Sequence, residues 1–124
     1  MKESHRLGEK GEKRAAAYLR RRGYRILQRN FTSGKYEIDL IASKGDCIVF
    51  VEVKTRTADR DDPVFRPADA VTKEKQIHVR RCAAAYLKTH PSEKRKRFDV
   101  MEVYVGKRVL FFSPVRIVHI ESAF

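Results

Sequence analysis

The stretch of residues 37–56 constrains the fold of this chain more than any other part of the sequence. Two apolar, β-rich runs at residues 38–42 and 47–54 flank a short segment that contains Gly45 and Asp46. A Gly-Asp pair between two such runs is typical of a β-hairpin, because glycine takes the positive φ that a tight turn needs. The sequence therefore predicts two antiparallel strands joined by this turn.

The position of the turn also predicts which residues face each other. With Gly45 and Asp46 at the tip, Asp39 lies opposite Glu52 on the neighbouring strand. Directly opposite β-carbons are about 4.5–5.5 Å apart, so two carboxylates placed there repel one another. Side chains alternate between the two faces of a strand, and one face of this hairpin is predicted to be apolar core. The residues of that face are Ile38, Leu40, Ala42, Val49, Val51 and Val53.

The other face is apolar near the turn and ionic at the open end of the hairpin. Its charged residues are Glu37, Asp39, Glu52 and Lys54. One interpretation is a divalent cation between the carboxylates, since Mg²⁺ is usually bound by one or two carboxylates together with water and phosphate oxygens. Lys54 would then reach a phosphate oxygen or the attacking water. The other interpretation is an internal ion pair between Lys54 and Asp39 or Glu52, because buried charges are normally paired.

Two helices are predicted, and each carries a polar residue on its inward stripe. Residues 4–22 form the first helix, which Gly23 ends, and its stripe includes Glu12. An acid there can serve as a third metal ligand or orient a water molecule, and a surface ion pair with an arginine is the alternative. Residues 68–90 form the second helix, whose stripe includes Gln76. An amide bonded to the backbone at the core edge is the simple interpretation of Gln76.

The remaining segments are assigned from alternation and turn residues. Strands are predicted at residues 24–31, with the charges of an edge strand, and at 98–105, 109–112 and 115–120. Asp99 and Glu102 fall on opposite faces of their strand, so they cannot both join one site.

Two loops are predicted, at residues 55–67 and 92–97. The first carries Asp59, Asp61 and Asp62, which we interpret as a solvated acidic segment that borders the site and can gate it. The second is basic, and both a solvated linker and a phosphate contact remain open for it. The histidines lack metal-ligand spacing and are interpreted as non-catalytic. They are His5, His78, His90 and His119.

The net charge indicates a polyanionic partner. The 28 Lys and Arg residues exceed the 16 Asp and Glu residues and give a net charge of +12. An excess this large, and clustered, favours nucleic acid over an anionic membrane surface, since no basic amphipathic helix with bulky apolar residues stands alone. Plain solubility is the simplest alternative.

The length of 124 residues predicts one domain over residues 1–124. No apolar run approaches the roughly 20 residues of a membrane span, and the charged N-terminus lacks the apolar segment of a secretory signal. Cys47 and Cys82 fit neither a disulfide framework nor a zinc spacing, so a reduced, cytoplasmic setting is expected.

The site residues resemble a known class of nucleases. Asp39, followed thirteen residues later by Glu52-Val53-Lys54, resembles the PD-(D/E)XK superfamily. More narrowly, Gly11-Glu12 and residues 37–42 and 49–56 resemble the YraN-like family, which is similar in plan to archaeal-type Holliday junction resolvases. The resemblance runs from Gly8 to Phe124. Two departures are Tyr36, where the family commonly has glycine, and the acidic residues 59–62, where it often has glycine.

The resemblance implies an α/β, restriction-endonuclease-like fold, with a central mixed sheet, an antiparallel hairpin at its core and two flanking helices. It implies Mg²⁺ or Mn²⁺ bound by Asp39, Glu52 and Glu12, with Lys54 orienting the nucleophilic water or stabilising transition-state charge. It also places a glutamine near the metal, which here is Gln76.

The expected activity is cleavage of branched, flapped or single-stranded DNA, directed by structure and not by sequence. A non-catalytic DNA- or RNA-binding module and an RNA-directed nuclease are the alternatives. A homodimer would suit a junction in which two strands are cut. The residues predicted to contact nucleic acid are Arg20, Arg21, Arg22, Arg56, Lys73, Lys75 and Arg80.

Overall fold

The fold is a five-stranded sheet with one helix on each face. The computed structural model describes residues 3–57, 71–105 and 115–124, and the side chains of 8–56, 71–105 and 116–124. In chain order the elements are α1 (Glu3–Arg21), β1 (Arg25–Ser33), β2 (Tyr36–Lys44), β3 (Cys47–Thr57), α2 (Lys73–Thr89), β4 (Arg95–Val105) and β5 (Val115–Ile120). The predicted loop acids Asp59, Asp61 and Asp62 and the predicted strand at 109–112 lie outside the described residues.

The strands lie in chain order across the sheet, β1-β2-β3-β4-β5. Neighbours are antiparallel except β3 and β4, which run parallel and are joined through α2. Such a parallel pair needs a crossover connection, and a helix is the usual one. The result is the predicted mixed sheet with an antiparallel hairpin at its centre, which confirms the predicted restriction-endonuclease-like fold class.

Each helix covers one apolar face of the sheet. Ala15, Ala16 and Leu19 of α1 pack with the β3 face that carries Val49 and Val51. On the other face, the buried side of α2 packs with Phe50 and its neighbours. That side comprises Val79, Cys82, Ala83 and Tyr86. Neither helix in the described part of the chain is long and apolar enough to cross a membrane.

The two helix ends that frame the sheet are set by local signals. Gly23, with φ of +88°, follows α1, and Tyr24 N–H donates to the Leu19 carbonyl at 3.0 Å. This is the glycine-terminated helix end that the sequence predicted. α2 begins at Lys73, because the Thr72 hydroxyl accepts a hydrogen bond from Lys75 N–H at 3.1 Å. The predicted helix was therefore wrong at residues 71 and 72, since Thr72 caps the helix there, and residues 68–70 lie outside the described residues.

β3 and β4 extend into segments that the sequence predicted to be loops. β3 continues to Thr57 and β4 begins at Arg95, because the parallel pairing runs unbroken from Cys47–Arg95 to Thr57–Val105. The predicted loops at residues 55–67 and 92–97 were wrong over these residues. Main-chain hydrogen bonding to a central strand outweighs the polar side chains at both ends.

The central hairpin has the predicted register near its turn. Leu40 pairs with Val51 and Lys44 with Cys47, and Gly45 has a φ of +58°. The regular pairing ends at Leu40, and beyond it Val53 N–H donates to the Asp39 carboxylate at 2.8 Å. The side chain of Asp39 thus satisfies a backbone donor at the point where the two strands part.

The predicted alternation of side chains along β2 was wrong at Ile38. It was expected on the face of Leu40 and Ala42, but it packs in the opposite cluster with Ile41 and Phe50. Ile38 lies beyond the last regular pair of β2 with β3, so the period of two no longer fixes its side.

Gly11 allows α1 to lie directly on β3. A methyl group added at Gly11 would overlap the Thr55 hydroxyl and lie 2.8 Å from Thr55 Cβ and Cγ2. We expect Gly11→Ala to lower the free energy of unfolding by about 1–3 kcal/mol through overpacking, despite a helix-propensity gain of about 1 kcal/mol. Urea denaturation measures this change. Gly8→Ala in the same helix is the control, because nothing lies within 4 Å of that position, and it should be neutral or stabilising. Equal effects of the two changes would contradict the close contact.

A buried polar cluster connects β5 and Ser122 to the rest of the sheet. The Asp99 carboxylate accepts hydrogen bonds from Arg97 Nε at 2.9 Å, His119 Nε2 at 2.6 Å and Ser122 N–H at 3.0 Å. Burial raises the pKa of Asp99, but the bonds from His119 and Arg97 outweigh it and leave the pKa below its ordinary value. Arg97 also donates to the Tyr24 hydroxyl at 2.6 Å, so the cluster reaches the segment after α1.

Candidate functional site

A pocket opens where β2 and β3 part and the first turn of α2 approaches them. Its volume is about 380 Å³, and Asp39, Glu52 and Lys75 lie in its wall with Tyr36 and His78. Pockets of a few hundred Å³ with convergent polar groups are the usual form of small-ligand and active sites. The pocket therefore coincides with the ionic end of the hairpin that the sequence singled out.

Asp39 is a carboxyl in a setting that disfavours its charge. Burial and the neighbouring Glu52 carboxylate raise its pKa to about 8, against the lowering effect of the Val53 N–H hydrogen bond. Glu12 and Glu37 add to the increase. Asp39 and Glu52 thus lie close enough to repel each other, as the predicted register implied.

Glu52 is held by two lysines. Its side chain is only 7% exposed, and Oε1 lies 2.7 Å from Lys75 Nζ and 3.3 Å from Lys54 Nζ. Burial lowers the pKa of Lys75, but the hydrogen bond and the charge of Glu52, together with contributions from Lys54 and Asp39, outweigh burial and leave the pKa above its ordinary value. The internal ion pair of Lys54 with Glu52 is therefore present. Lys75, which is predicted to contact a polyanion, lies in the wall of the pocket.

Glu12 reaches the same end of the sheet from α1. Asn30, with its amide nitrogen turned toward the acids, donates to Glu12 Oε1 at 2.8 Å and to Glu37 Oε1 at 3.3 Å. Burial and Glu37 raise the pKa of Glu12. Within residues 3–57, 71–105 and 115–124, no three Asp, Glu, His or Cys side chains converge closely enough to hold a metal ion. Glu12 thus contributes negative charge near Asp39, and its role as a third metal ligand stays a prediction.

Several predicted site residues lie elsewhere or point away. Gln76 Nε2 donates to the Val71 carbonyl at 3.2 Å, which matches the backbone-bonded interpretation. Arg80 places its guanidinium 4.6 Å from the centre of the Phe98 ring. Lys73 is exposed in the first turn of α2, near the pocket. Arg20 and Arg21 lie in the last turn of α1 and Arg22 follows it, at the other end of the sheet.

The pocket wall contains a stacked pair of rings that the sequence did not predict. The rings of Tyr36 and His78 lie 4.0 Å apart with an angle of 19° between their planes. His78 is interpreted as non-catalytic from the sequence because it lacks metal-ligand spacing. The only available signal was Tyr36, a bulky residue where the resembled family commonly has glycine. The contact joins β2 to α2, and sequence spacing does not report such contacts.

Glu102 is a second missed residue. It is fully buried on β4 beside Lys54, and neither carboxylate oxygen accepts a hydrogen bond from the residues that the structure describes. Burial raises its pKa to about 7, opposed by the charges of Arg56 and Lys54. Arg56 Nε lies 3.7 Å from Glu102 Oε2. Glu102 and Asp99 have different neighbours, as expected for two residues that were predicted to lie on opposite faces of one strand.

The raised pKa of Asp39 predicts that the folded protein loses stability as the pH rises. Folding keeps a proton on Asp39 up to a pKa of about 8, whereas the unfolded chain releases it near 3.8. The contribution of Asp39 to stability is therefore complete below pH 3.8 and is lost as the pH rises to about 8. Asp39→Asn removes that loss while retaining an acceptor for Val53. We expect the variant to be more stable than the wild type by more than about 2 kcal/mol near pH 9 without metal, and by far less near pH 5.

Urea denaturation in EDTA across this pH range measures the difference between the two proteins. A stability difference that stays constant with pH would contradict the raised pKa.

The fold and site together define the class of protein. A mixed sheet flanked by two helices, with Asp39 and the Glu52-Val53-Lys54 triplet on adjacent central strands, is a restriction-endonuclease-like arrangement. The chain belongs to the family described as Uncharacterised protein family UPF0102, the YraN-like family, whose profile matches residues 11–103.

Individual relatives support the same assignment. A UPF0102 protein of Symbiobacterium thermophilum is 48% identical over 83% of this chain and 86% of its own length. One from Chlorobium phaeobacteroides strain BS1 is 41% identical over 97% of this chain and 94% of its own length. A third, from Caldicellulosiruptor saccharolyticus, is 43% identical over 81% of this chain and 83% of its own length. The family description carries no activity, so function is argued from the site.

Proposed function

We propose that this protein is a metal-dependent nuclease that hydrolyses phosphodiester bonds in DNA and is directed by structure, as in branched, flapped or single-stranded substrates. One observation carries the proposal. Asp39 and Glu52 repel each other in an open pocket of about 380 Å³, and Lys54 lies beside them. Two acids and a lysine in a cleft form a set suited to phosphoryl chemistry with a cation.

The donor set fits Mg²⁺ or Mn²⁺. Both ions prefer carboxylate oxygens, and Mg²⁺ typically takes one or two of them, so Asp39 and Glu52 would hold the ion without a third protein ligand. The raised pKa of Asp39 supports this fit, because a cation between the two carboxylates would relieve the repulsion by Glu52 that contributes to it. When bound, such an ion supplies a more acidic water and stabilises charge on the reacting phosphate.

Two lysines beside Glu52 serve the anionic substrate. The ammonium groups of Lys54 and Lys75 lie 3.3 and 2.7 Å from Glu52 Oε1. A phosphate group that enters the pocket offers both ammonium groups a second anionic partner. Lys54 is then placed to orient the attacking water or to stabilise charge that develops on the phosphate oxygens. Glu12, held by Asn30 at 2.8 Å, adds negative charge near Asp39 that favours cation binding.

The positive net charge of the protein favours recognition of a nucleic acid through its phosphate backbone. The chain has a net charge of +12, and lysine and arginine contacts to phosphates position a nucleic acid without reading its sequence. The exposed Lys73 lies in the first turn of α2, at the side of the pocket. Selection by strand structure is therefore the natural mode for this site.

The second candidate is a nucleic-acid-binding protein without turnover. Its support is the contact of 2.7 Å between Lys75 and Glu52, which neutralises one predicted ligand within the chain. A carboxylate that already has an ammonium partner does not need a cation to be stable.

A cleavage assay separates these candidates. The purified protein is incubated with labelled single-stranded, flapped and four-way DNA and with matched RNA, in Mg²⁺, Mn²⁺, Ca²⁺ or EDTA. We expect DNA cleavage with Mg²⁺ or Mn²⁺ and none in EDTA, where binding persists. Binding to all substrates without any cut would overturn the nuclease proposal in favour of the second candidate, and cleavage confined to RNA would overturn DNA as the substrate.

A further inference from the structure

Many basic residues that the candidate site does not use gather at the opposite end of the sheet. The pairs Arg25–Ser43, Lys44–Cys47 and Cys47–Arg95 place the start of β1, the β2–β3 turn and the start of β4 in one row. The last turn of α1 reaches the same row, because only residues 22–24 separate it from β1. Segments that are distant in the sequence thus meet there.

These residues form an exposed surface that we call the far basic surface. It consists of Arg20, Arg21, Arg22, Arg25, Lys44, Lys94, Arg95 and Lys96, all of them exposed. The nearby acids Asp46 and Glu93 are outnumbered. Asp46 pairs with Arg95 at 3.5 Å, but the side chains are 81% and 75% exposed, so this ion pair is weak and leaves Arg95 able to bind another anion.

Aromatic rings hold part of this surface in place. The Arg22 guanidinium lies 3.6 Å from the centre of the Tyr18 ring, and Lys44 Nζ lies 5.2 Å from that of Tyr24. Tyr24 is itself fixed, since its hydroxyl accepts a hydrogen bond from Arg97 at 2.6 Å. Cations held over rings lose less conformational freedom on binding an anion than free side chains do.

The far basic surface is too distant to serve the pocket. Glu52 follows Cys47 by five residues along β3, a distance of about 17 Å at the usual rise of a strand. Exposed charges are largely screened beyond about 8 Å at physiological ionic strength. The surface therefore does not neutralise the pocket acids, and its charge needs another explanation.

We propose that the far basic surface is a second binding site for the phosphate backbone of nucleic acid, separate from the pocket. One polynucleotide that spans both sites, or two arms of a branched one, would contact both ends of the sheet. This inference rests on the nucleic-acid part of the proposed function and not on cleavage.

The chemistry of the surface favours nucleic acid over a lipid headgroup layer. Five of its eight cations are arginines, whose planar guanidinium donates two parallel hydrogen bonds to phosphate oxygens. Membrane-surface binding also buries large apolar side chains. The exposed large apolar residues of the described chain are Leu27 and Ile77, and neither belongs to the surface.

The test compares two triple variants with the same loss of charge. In the first, Arg21, Lys44 and Arg95 of the far basic surface are changed to glutamine. In the control, three exposed cations on the helix flanks are changed to glutamine, namely Lys13, Arg14 and Arg81. Binding to a duplex of about 30 base pairs, roughly 100 Å long, is measured in EDTA over a range of salt concentrations. EDTA removes cleavage, so the result does not depend on catalysis.

We expect the first variant to bind DNA about 10- to 100-fold more weakly at low salt. The slope of log affinity against log salt concentration should fall in magnitude by about 2–3, since each lost phosphate contact removes about 0.9 from that slope. The control should change affinity by less than about threefold and keep its slope. Melting temperatures equal to that of the wild type confirm that both variants are folded.

Equal weakening of both variants would overturn the second site, because net charge alone would then explain the binding. Unchanged affinity of the first variant would overturn it as well. Vesicles of anionic phospholipid form a further arm, and a loss of vesicle binding without a loss of DNA binding would assign the surface to lipid and overturn the proposal. Cleavage that fails while the first variant still weakens binding would count against the nuclease alone.

Discussion

Cleavage by the Lys54→Met variant is expected to be about 100- to 1000-fold slower than that of the wild type, the usual cost of removing a group that stabilises transition-state charge. The fold should survive the change, because Glu52 keeps Lys75 at 2.7 Å after Lys54 is lost. Methionine retains most of the aliphatic stem and removes only the ammonium. Single-turnover rates with Mg²⁺ or Mn²⁺, and DNA affinity in EDTA, measure the two effects separately.

A matched substitution tests whether the loss is specific to the site. Lys13→Met removes one exposed ammonium from α1 at a residue that does not line the pocket, and should leave the rate and affinity within about twofold. A Lys54→Met protein that cleaves at the wild-type rate would show that Lys54 is only the counterion of Glu52. A parallel fall in stability would assign it to the fold instead.

Asp99→Asn is expected to lower the free energy of unfolding by about 3–5 kcal/mol, the typical cost of removing one partner from a buried ion pair. Arg97 is left partly buried against a neutral amide, and the amide group replaces an ionised acceptor of His119 and Ser122. Thermal unfolding should show a fall in Tm of more than about 10 °C.

Asp46→Asn is the control for this prediction. It breaks the exposed ion pair with Arg95, where the carboxylate is 81% accessible, and such pairs contribute at most about 1 kcal/mol. The pKa of Asp99 lies below its ordinary value, so its stabilisation is complete above the unfolded value of 3.8 and is lost as the pH falls further. Similar losses for Asp46→Asn and Asp99→Asn at neutral pH would contradict the buried network.

The parts of the fold that the sequence predicted well depend on contacts between near neighbours in the chain. The turn at Gly45 and the alternation around it gave the register of Leu40 with Val51, and that register placed Asp39 near Glu52. Gly23 marked the end of α1 for the same reason, since a left-handed residue closes the helix locally.

The parts that the sequence did not predict depend on contacts between distant segments. The position of Lys75 on Glu52 requires α2 to return over the sheet, and the stack of Tyr36 on His78 requires the same approach. The burial of Glu102 follows from the parallel pairing of β3 with β4, which periodicity within one strand does not encode. The separation of the basic residues into two ends likewise exists only once the strands are paired.

The parallel pairing of β3 with β4 also has a consequence for how the protein is made. Cys47 pairs with Arg95 only after forty-eight further residues have been added, whereas β1, β2 and β3 pair through short turns. Short loops close at a lower entropic cost than long ones, so the three-stranded meander can form while the chain is still emerging from the ribosome. Asp39 and Glu52 would meet in this nascent intermediate. The unpaired edge of β3 would stay open to a wrong partner until β4 is synthesised, which makes this interval the one in which a chaperone has most to protect.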